Sequence, residues 1–97
     1  MYAALRTVKI NPENMEQAID KVDTEFLEML REMPGFVSYY LVQTHEDQVT
    51  TVSVFDSQEE AEESNKVALG WIKENLGPFI QGPVQAVAGR VSVHGGN

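Results

Sequence analysis

Apolar and β-branched residues run from Tyr2 to Ile10 (YAALRTVKI) over the length of a strand and stop at Asn11-Pro12. Asn before Pro is a helix-start signal, because Asn caps the first turn and Pro lacks only an N–H that the helix would leave unpaired. Beyond it, Met15, Ala18, Ile19, Val22, Phe26, Met29, Leu30 and Met33 recur every three or four residues. That spacing predicts a helix with one apolar stripe and with Glu16, Asp20, Asp23 and Glu32 turned to solvent. The methionines read as core filler. Pro34-Gly35 ends the helix.

Phe36 to Thr44 (FVSYYLVQT) and Gln48 to Phe55 (QVTTVSVF) are rich in β-branched and aromatic residues, and the link His45-Glu46-Asp47 between them is short. They predict an antiparallel hairpin. Ser57-Gln58-Glu59-Glu60 matches a capping box, so a second helix starts just after Asp56, with Ala61, Ser64, Ala68, Trp71, Ile72 and Leu76 on its inner face. Gly77-Pro78 ends that helix and Gly82-Pro83 turns the chain again. Gln85 to Val93 (QAVAGRVSV) forms a last strand, and residues 94–97 are a loose tail.

The order β-α-β-β-α-β predicts an α+β, ferredoxin-like fold: a four-stranded antiparallel sheet with both helices on one face. In the last strand the valine row, Val87, Val91 and Val93, is expected to face the helices, leaving Ala86, Ala88, Arg90 and Ser92 on the other side. In the hairpin, Val37, Tyr39 and Leu41 alternate with Phe36, Ser38, Tyr40 and Val42, so both faces of the sheet are apolar there. A sheet apolar on both faces in so small a chain implies a cover for the side away from the helices, most simply a second copy.

The chain has 97 residues, which makes one domain over 1–97 the expectation. With no cysteine, disulfides, thiolate metal sites and a Cys nucleophile are excluded, and a cytoplasmic setting is expected. No apolar run approaches a membrane span and no leader pattern opens the chain, so no membrane partner is expected. The net charge is −8: Pro12 to Met33 carries seven acids against two bases, and Ser57 to Leu76 five against two. Those two segments hold the whole excess. They read as solvated helix faces, and the negative field argues against nucleic acid.

The early strand before Asn11-Pro12, Pro34-Gly35-Phe36 leading into strand two, Val52-Ser53-Val54-Phe55-Asp56-Ser57, and the helix segments Glu60-Ala61-Glu62-Glu63-Ser64-Asn65 and Trp71-Ile72-Lys73-Glu74-Asn75-Leu76 together resemble the antibiotic biosynthesis monooxygenase family of dimeric α+β barrel proteins. The resemblance implies a homodimer whose sheets pack face to face and a pocket between each sheet and its helices. It also implies oxidation of a small aromatic or quinol-like substrate by molecular oxygen without flavin, metal or haem. In such enzymes a deprotonated phenol or enol passes an electron to oxygen, so an apolar pocket with a few polar anchors suffices. The pattern departs from the family in two places. An Asn and Trp one turn apart on the second helix in some members are represented here by Asn65 and Trp71, six residues apart and diverging around the helix. Haem-degrading relatives place an axial His on that helix, where this chain aligns Glu74 or a neighbour, so no haem is expected.

Trp71, Tyr39, Tyr40, Asn65 and Arg90 are the candidate substrate-binding residues. Trp71 serves equally as a pocket wall or as core. Tyr39 and Tyr40 point to opposite faces, so one of them borders a given pocket. Asn65 offers an anchor for a substrate oxygen or a solvated amide. Arg90, expected on the non-helical face among small residues, requires a partner-subunit acid or an anionic ligand if that face is covered. Arg6 shares the parity of Tyr2, Ala4 and Val8, but strand one does not reveal its inner face. His45 and His94 lie apart from other ligands, so no metal is expected. No His, Cys or acidic dyad marks a catalytic centre, which keeps open a second reading as a non-catalytic small-ligand-binding or stress-related protein of the same fold.

Overall fold

The computed structural model describes residues 1–96. Strands β1 (Tyr2–Lys9), β2 (Phe36–His45), β3 (Gln48–Phe55) and β4 (Gln85–Arg90) form one antiparallel sheet in the order β2-β3-β1-β4. The expected ferredoxin-like arrangement is present, with the helices on one face.

The first helix is one continuous stretch of unequal turns. Asn11 caps a short 3₁₀ turn, Pro12–Asn14, by accepting the Glu13 N–H on its side-chain oxygen at 3.1 Å. Helix α1 (Met15–Lys21) follows, then a π-turn over Val22–Phe26, then α2 (Leu27–Arg31). The wider π-turn carries an extra residue per turn, which rotates everything after it. Val22, Phe26 and Leu30 therefore keep the buried stripe, while Met29, expected on it, is exposed.

Helix α3 (Gln58–Leu76) starts as its capping box predicts. The Glu60 N–H donates to Ser57 Oγ at 3.2 Å, and the Ser57 hydroxyl donates to Glu60 Oε1 at 2.9 Å. All six residues expected on its inner face are buried. The tip of the same Glu60 side chain lies against Gly35, whose φ of +78° is in the left-handed region that favours glycine.

Residues directly paired across strands share a face, so the register settles which side chains point inward. Ala4, Arg6 and Val8 of β1 stand opposite Ser53, Thr51 and Val49 of β3, all seven of Ala4, Arg6, Val8, Val49, Thr51, Ser53 and Phe55 being buried beneath the helices. Two expectations about the sheet are corrected. In β4, Ala86 pairs with Arg6 and Ala88 with Ala4, so the alanine row faces the helices; Val87 pairs with Leu5 on the open face and is 65% exposed. α3 packs across β1 and β4, and small side chains admit that approach where a row of valines would hold it off. In β2, an irregularity at Val37 shifts the register, so that Phe36 faces inward with Tyr39 and Leu41.

The last strand ends at Arg90, short of the expected Val93, with the Val91 N–H still bonded to the Met1 carbonyl at 3.0 Å. The tail expected over 94–97 falls partly outside the described residues, at Asn97. No helix is long and apolar enough to cross a membrane among the described residues.

Candidate functional site

At the centre of the inner sheet face lies an arginine. Arg6 is 1% exposed and sits where its neighbours in β1 are core residues. Its guanidinium is held from two elements: Nε donates to Thr51 Oγ1 at 3.0 Å, Nη2 donates to Ser53 Oγ, and Nη1 donates to Asn65 Oδ1 of α3 at 2.9 Å. Asn65 is itself fixed, because its amide donates to the Val87 carbonyl of β4 at 3.1 Å. That second bond orients the amide with its oxygen toward Arg6.

The guanidinium carbon stands 5.8 Å from the centre of the Phe26 ring, within cation–π range. Phe26 also meets Trp71, with ring centres 5.2 Å apart, and Tyr39 edge-on at 5.9 Å. The last residue of the π-turn thus joins the polar cluster to an aromatic one. The Tyr39 hydroxyl is buried and makes no hydrogen bond of good geometry. It lies close enough to Arg6 to interact with it electrostatically. Burial pushes the Tyr39 phenol above its ordinary range, with the Arg6 charge pulling partly the other way. Burial likewise lowers the Arg6 pKa, offset in part by Tyr39.

These residues border a narrow cavity of about 20 Å³ between the helices and the sheet, walled by Arg6, Phe26, Tyr39, Thr51 and Trp71 among others. That is room for about one water molecule. On its β2 side the cavity adjoins an open groove of about 470 Å³, and Ile19, Val22, Tyr39 and Leu41 belong to both. Val22 and Phe26, the first and last residues of the π-turn, both line the inner cavity, and such turns recur at functional sites.

The structure brings Tyr39, Asn65 and Trp71 into one connected cluster and leaves two candidates outside it. Asn65 and Trp71 do diverge around α3, but the Arg6–Phe26 stack joins them. Tyr40 is on the open face and 60% exposed. Arg90 pairs with Tyr2 at the end of β4, on the helix side of the sheet, and is exposed; the expected placement on the far face came from the inverted parity of that strand. Arg6, Thr51, Ser53 and Phe26 were missed as site residues. The signal for Arg6 was its parity with Ala4 and Val8, which hydrophobicity alone discounts for a charged side chain. His45 and His94 are both exposed, and no group of three His, Asp or Glu residues stands close enough to hold a metal ion among the described residues.

A four-stranded antiparallel sheet with two helices on one face is the ferredoxin-like α+β frame. The sequence profile described as antibiotic biosynthesis monooxygenase matches residues 1–67, and the chain belongs to that family. Among solved structures, it is similar to a monooxygenase from the gene ActVA-Orf6 of Streptomyces coelicolor, in complex with the ligand nanaomycin D. The identity is 19%, the TM-score 0.72, and the match covers 98% of this chain and 92% of that one. It is similar also to SnoaB, a cofactor-independent oxygenase from Streptomyces nogalater, with 9% identity, a TM-score of 0.69, and coverage of 96% and 94%. A third similar structure is MhuD with two manganese protoporphyrin IX molecules per active site, at 13% identity and a TM-score of 0.74, each chain covered in full. At these identities the likeness is one of fold. A search of curated proteins returns no match to the sequence.

Proposed function

We propose that the protein is a monooxygenase acting on a small aromatic or quinol-like substrate, bound between the sheet and the helices. The observation that carries this reading is the cavity bordered by Phe26, Tyr39 and Trp71, with the buried Arg6 guanidinium on its floor and the open groove beside it. Aromatic walls suit a flat apolar ligand, and the few polar groups suit orientation of its oxygens. Entry requires Tyr39 and Leu41 to part from Ile19 and Val22, where the π-turn provides the least regular helix in the structure. Substrate oxidation balances without a cofactor: one oxygen atom of O₂ enters an activated methylene carbon as a carbonyl, the other leaves as water, and the substrate supplies all the electrons.

The site works in a homodimer in this reading. The open face carries Leu5, Val52, Val54, Tyr40, Val42 and Val87, and none of the fifteen acids lies in any strand. Two copies of a strongly acidic chain can therefore meet there without like-charge repulsion. The absence of any His, Cys or carboxylate from the cavity lining, among the described residues, favours a second reading, a small-ligand-binding or stress-related protein without turnover.

Oxygen uptake separates the two. With anthrone-like and hydroquinone substrates and no added cofactor, the first reading expects consumption that depends on protein. Saturable binding of the same compounds with no oxygen uptake across the panel would establish the second.

A further inference from the structure

The groove of about 470 Å³ between the first helix and β2 has a floor of Ile19, Val22, Leu27, Tyr39 and Leu41 and a rim of Glu16, Asp20 and Asp23. Ile19, Leu27, Tyr39 and Leu41 are only half-buried, so the fold leaves part of each large side chain in this concavity. Leu27 and the three acids line the groove alone, whereas Ile19, Val22, Tyr39 and Leu41 also border the inner cavity. The groove therefore has a chemistry of its own, separable from that of the cavity behind it. Its volume falls in the range of small-molecule sites, about 300 to 1,000 Å³, and its floor offers apolar surface that a ligand would remove from water.

The rim decides the kind of ligand. Glu16, Asp20 and Asp23 follow one another at spacings of four and three, which makes them neighbours on one helix face. Like charges so placed destabilise a helix, and nothing in the chain offsets them. Among the described residues the ion pairs are Arg31–Glu28 and Lys66–Glu63, neither of which involves the rim, and no Lys or Arg lines the groove. An apolar floor beneath an unneutralised acidic rim is complementary to a molecule with an apolar body and a positive head. A second copy of the chain, at −8, brings the wrong sign, and residues 91–97 of the chain's own terminus contain no Lys or Arg.

We propose that this groove binds an amphiphilic cation, a small amine with an aryl or branched alkyl body. The body lies on Leu27 and Leu41, and the ammonium sits among Glu16, Asp20 and Asp23. This site is outside the inner cavity and does not depend on the oxygenase reading.

Three compounds with one body and different heads test the proposal by calorimetry on the intact protein: 4-phenylbutylamine, which is cationic, 4-phenylbutanol, which is neutral, and 4-phenylbutyrate, which is anionic. The amine is expected to bind about fivefold or more tightly than the alcohol, and the carboxylate more weakly than the alcohol. Salt at about 1 M, where the Debye length is about 3 Å, should erase both differences and leave alcohol binding in place. The triple variant Glu16→Gln, Asp20→Asn, Asp23→Asn should do the same at low salt, and the fold should tolerate it because all three side chains are exposed. Leu27→Ala should weaken all three compounds about threefold or more, since Leu27 belongs to the groove and not to the cavity. If that variant does not fold, the triple variant and the salt series decide. Equal binding of the three compounds, binding of none, an amine preference that survives the triple variant, or affinities unmoved by Leu27→Ala would each overturn the inference. Binding of a Leu- and Arg-rich amphipathic peptide without binding of the amine would also overturn it and give the groove to a protein partner. Amine binding with no oxygen uptake across the substrate panel would leave the inference intact and remove the oxygenase reading; oxygen uptake without amine binding would do the reverse.

Discussion

Asn65 of α3 and Arg6 of β1, 59 residues apart in sequence, meet at 2.9 Å through an amide oxygen that the Val87 carbonyl holds in place from behind. The bond ties three elements together at the floor of the cavity. It also makes Asn65 a positioning residue for the guanidinium.

Asn65→Ala should therefore cost about 1 to 3 kcal/mol, because it removes two hydrogen bonds and leaves one buried guanidinium N–H unpaired. Urea unfolding measures the loss. A variant as stable as the parent would show that the amide is dispensable to the cluster.

Trp71→Phe keeps most of the aromatic bulk and should cost about 1 kcal/mol, as volume-tolerant aromatic swaps do. Ligand affinity or turnover should change by more than that small loss explains, since Trp71 forms a cavity wall. Unchanged affinity and turnover would assign Trp71 to core packing alone.

Tyr39 gives the pH dependence. Its phenol is held above the ordinary value of 10.0 by burial, so the folded state retains the proton more strongly than the unfolded chain does. The associated stability is fully present below about pH 10 and is lost as pH rises through the raised folded value. Thermal melts across the alkaline range should show this loss, and Tyr39→Phe should flatten it while changing stability at neutral pH by under about 1 kcal/mol. An alkaline profile identical in the two proteins would contradict the buried, unpaired hydroxyl.

Much of this was legible in the sequence because local rules and tertiary demands agreed. Ser57 and Glu60 announce α3, and its six inner residues follow at helical spacing. Disagreement arose where a residue's polarity and its position conflict. Val87 reads as core and Ala86 as surface, yet the helix packed over β4 needs the small row beneath it and leaves the valine to the open face. Arg6 sits on a core row, and its charge argues against burial until the acceptors on β3 and α3 are seen to converge. Met29 fails for a different reason: periodicity does not reveal the extra residue of a π-turn, and everything after it is rotated.

The open face predicts assembly. Sedimentation at micromolar concentration should give twice 10.8 kDa. Replacing Val87 by Glu, and Leu5 beside it likewise, should yield monomers by setting two charges into the apolar face of each copy. A folded monomer for the unaltered chain would remove the dimer from the account.

Trp71 is the single tryptophan of the chain and lines the cavity, so its emission reports directly on occupancy. Titration with a hydroxyaromatic ligand, corrected for absorption by the ligand itself, should change that emission saturably with one ligand per chain. Saturable binding that leaves Trp71 emission unaltered would place the ligand elsewhere and contradict the site described between the sheet and the helices.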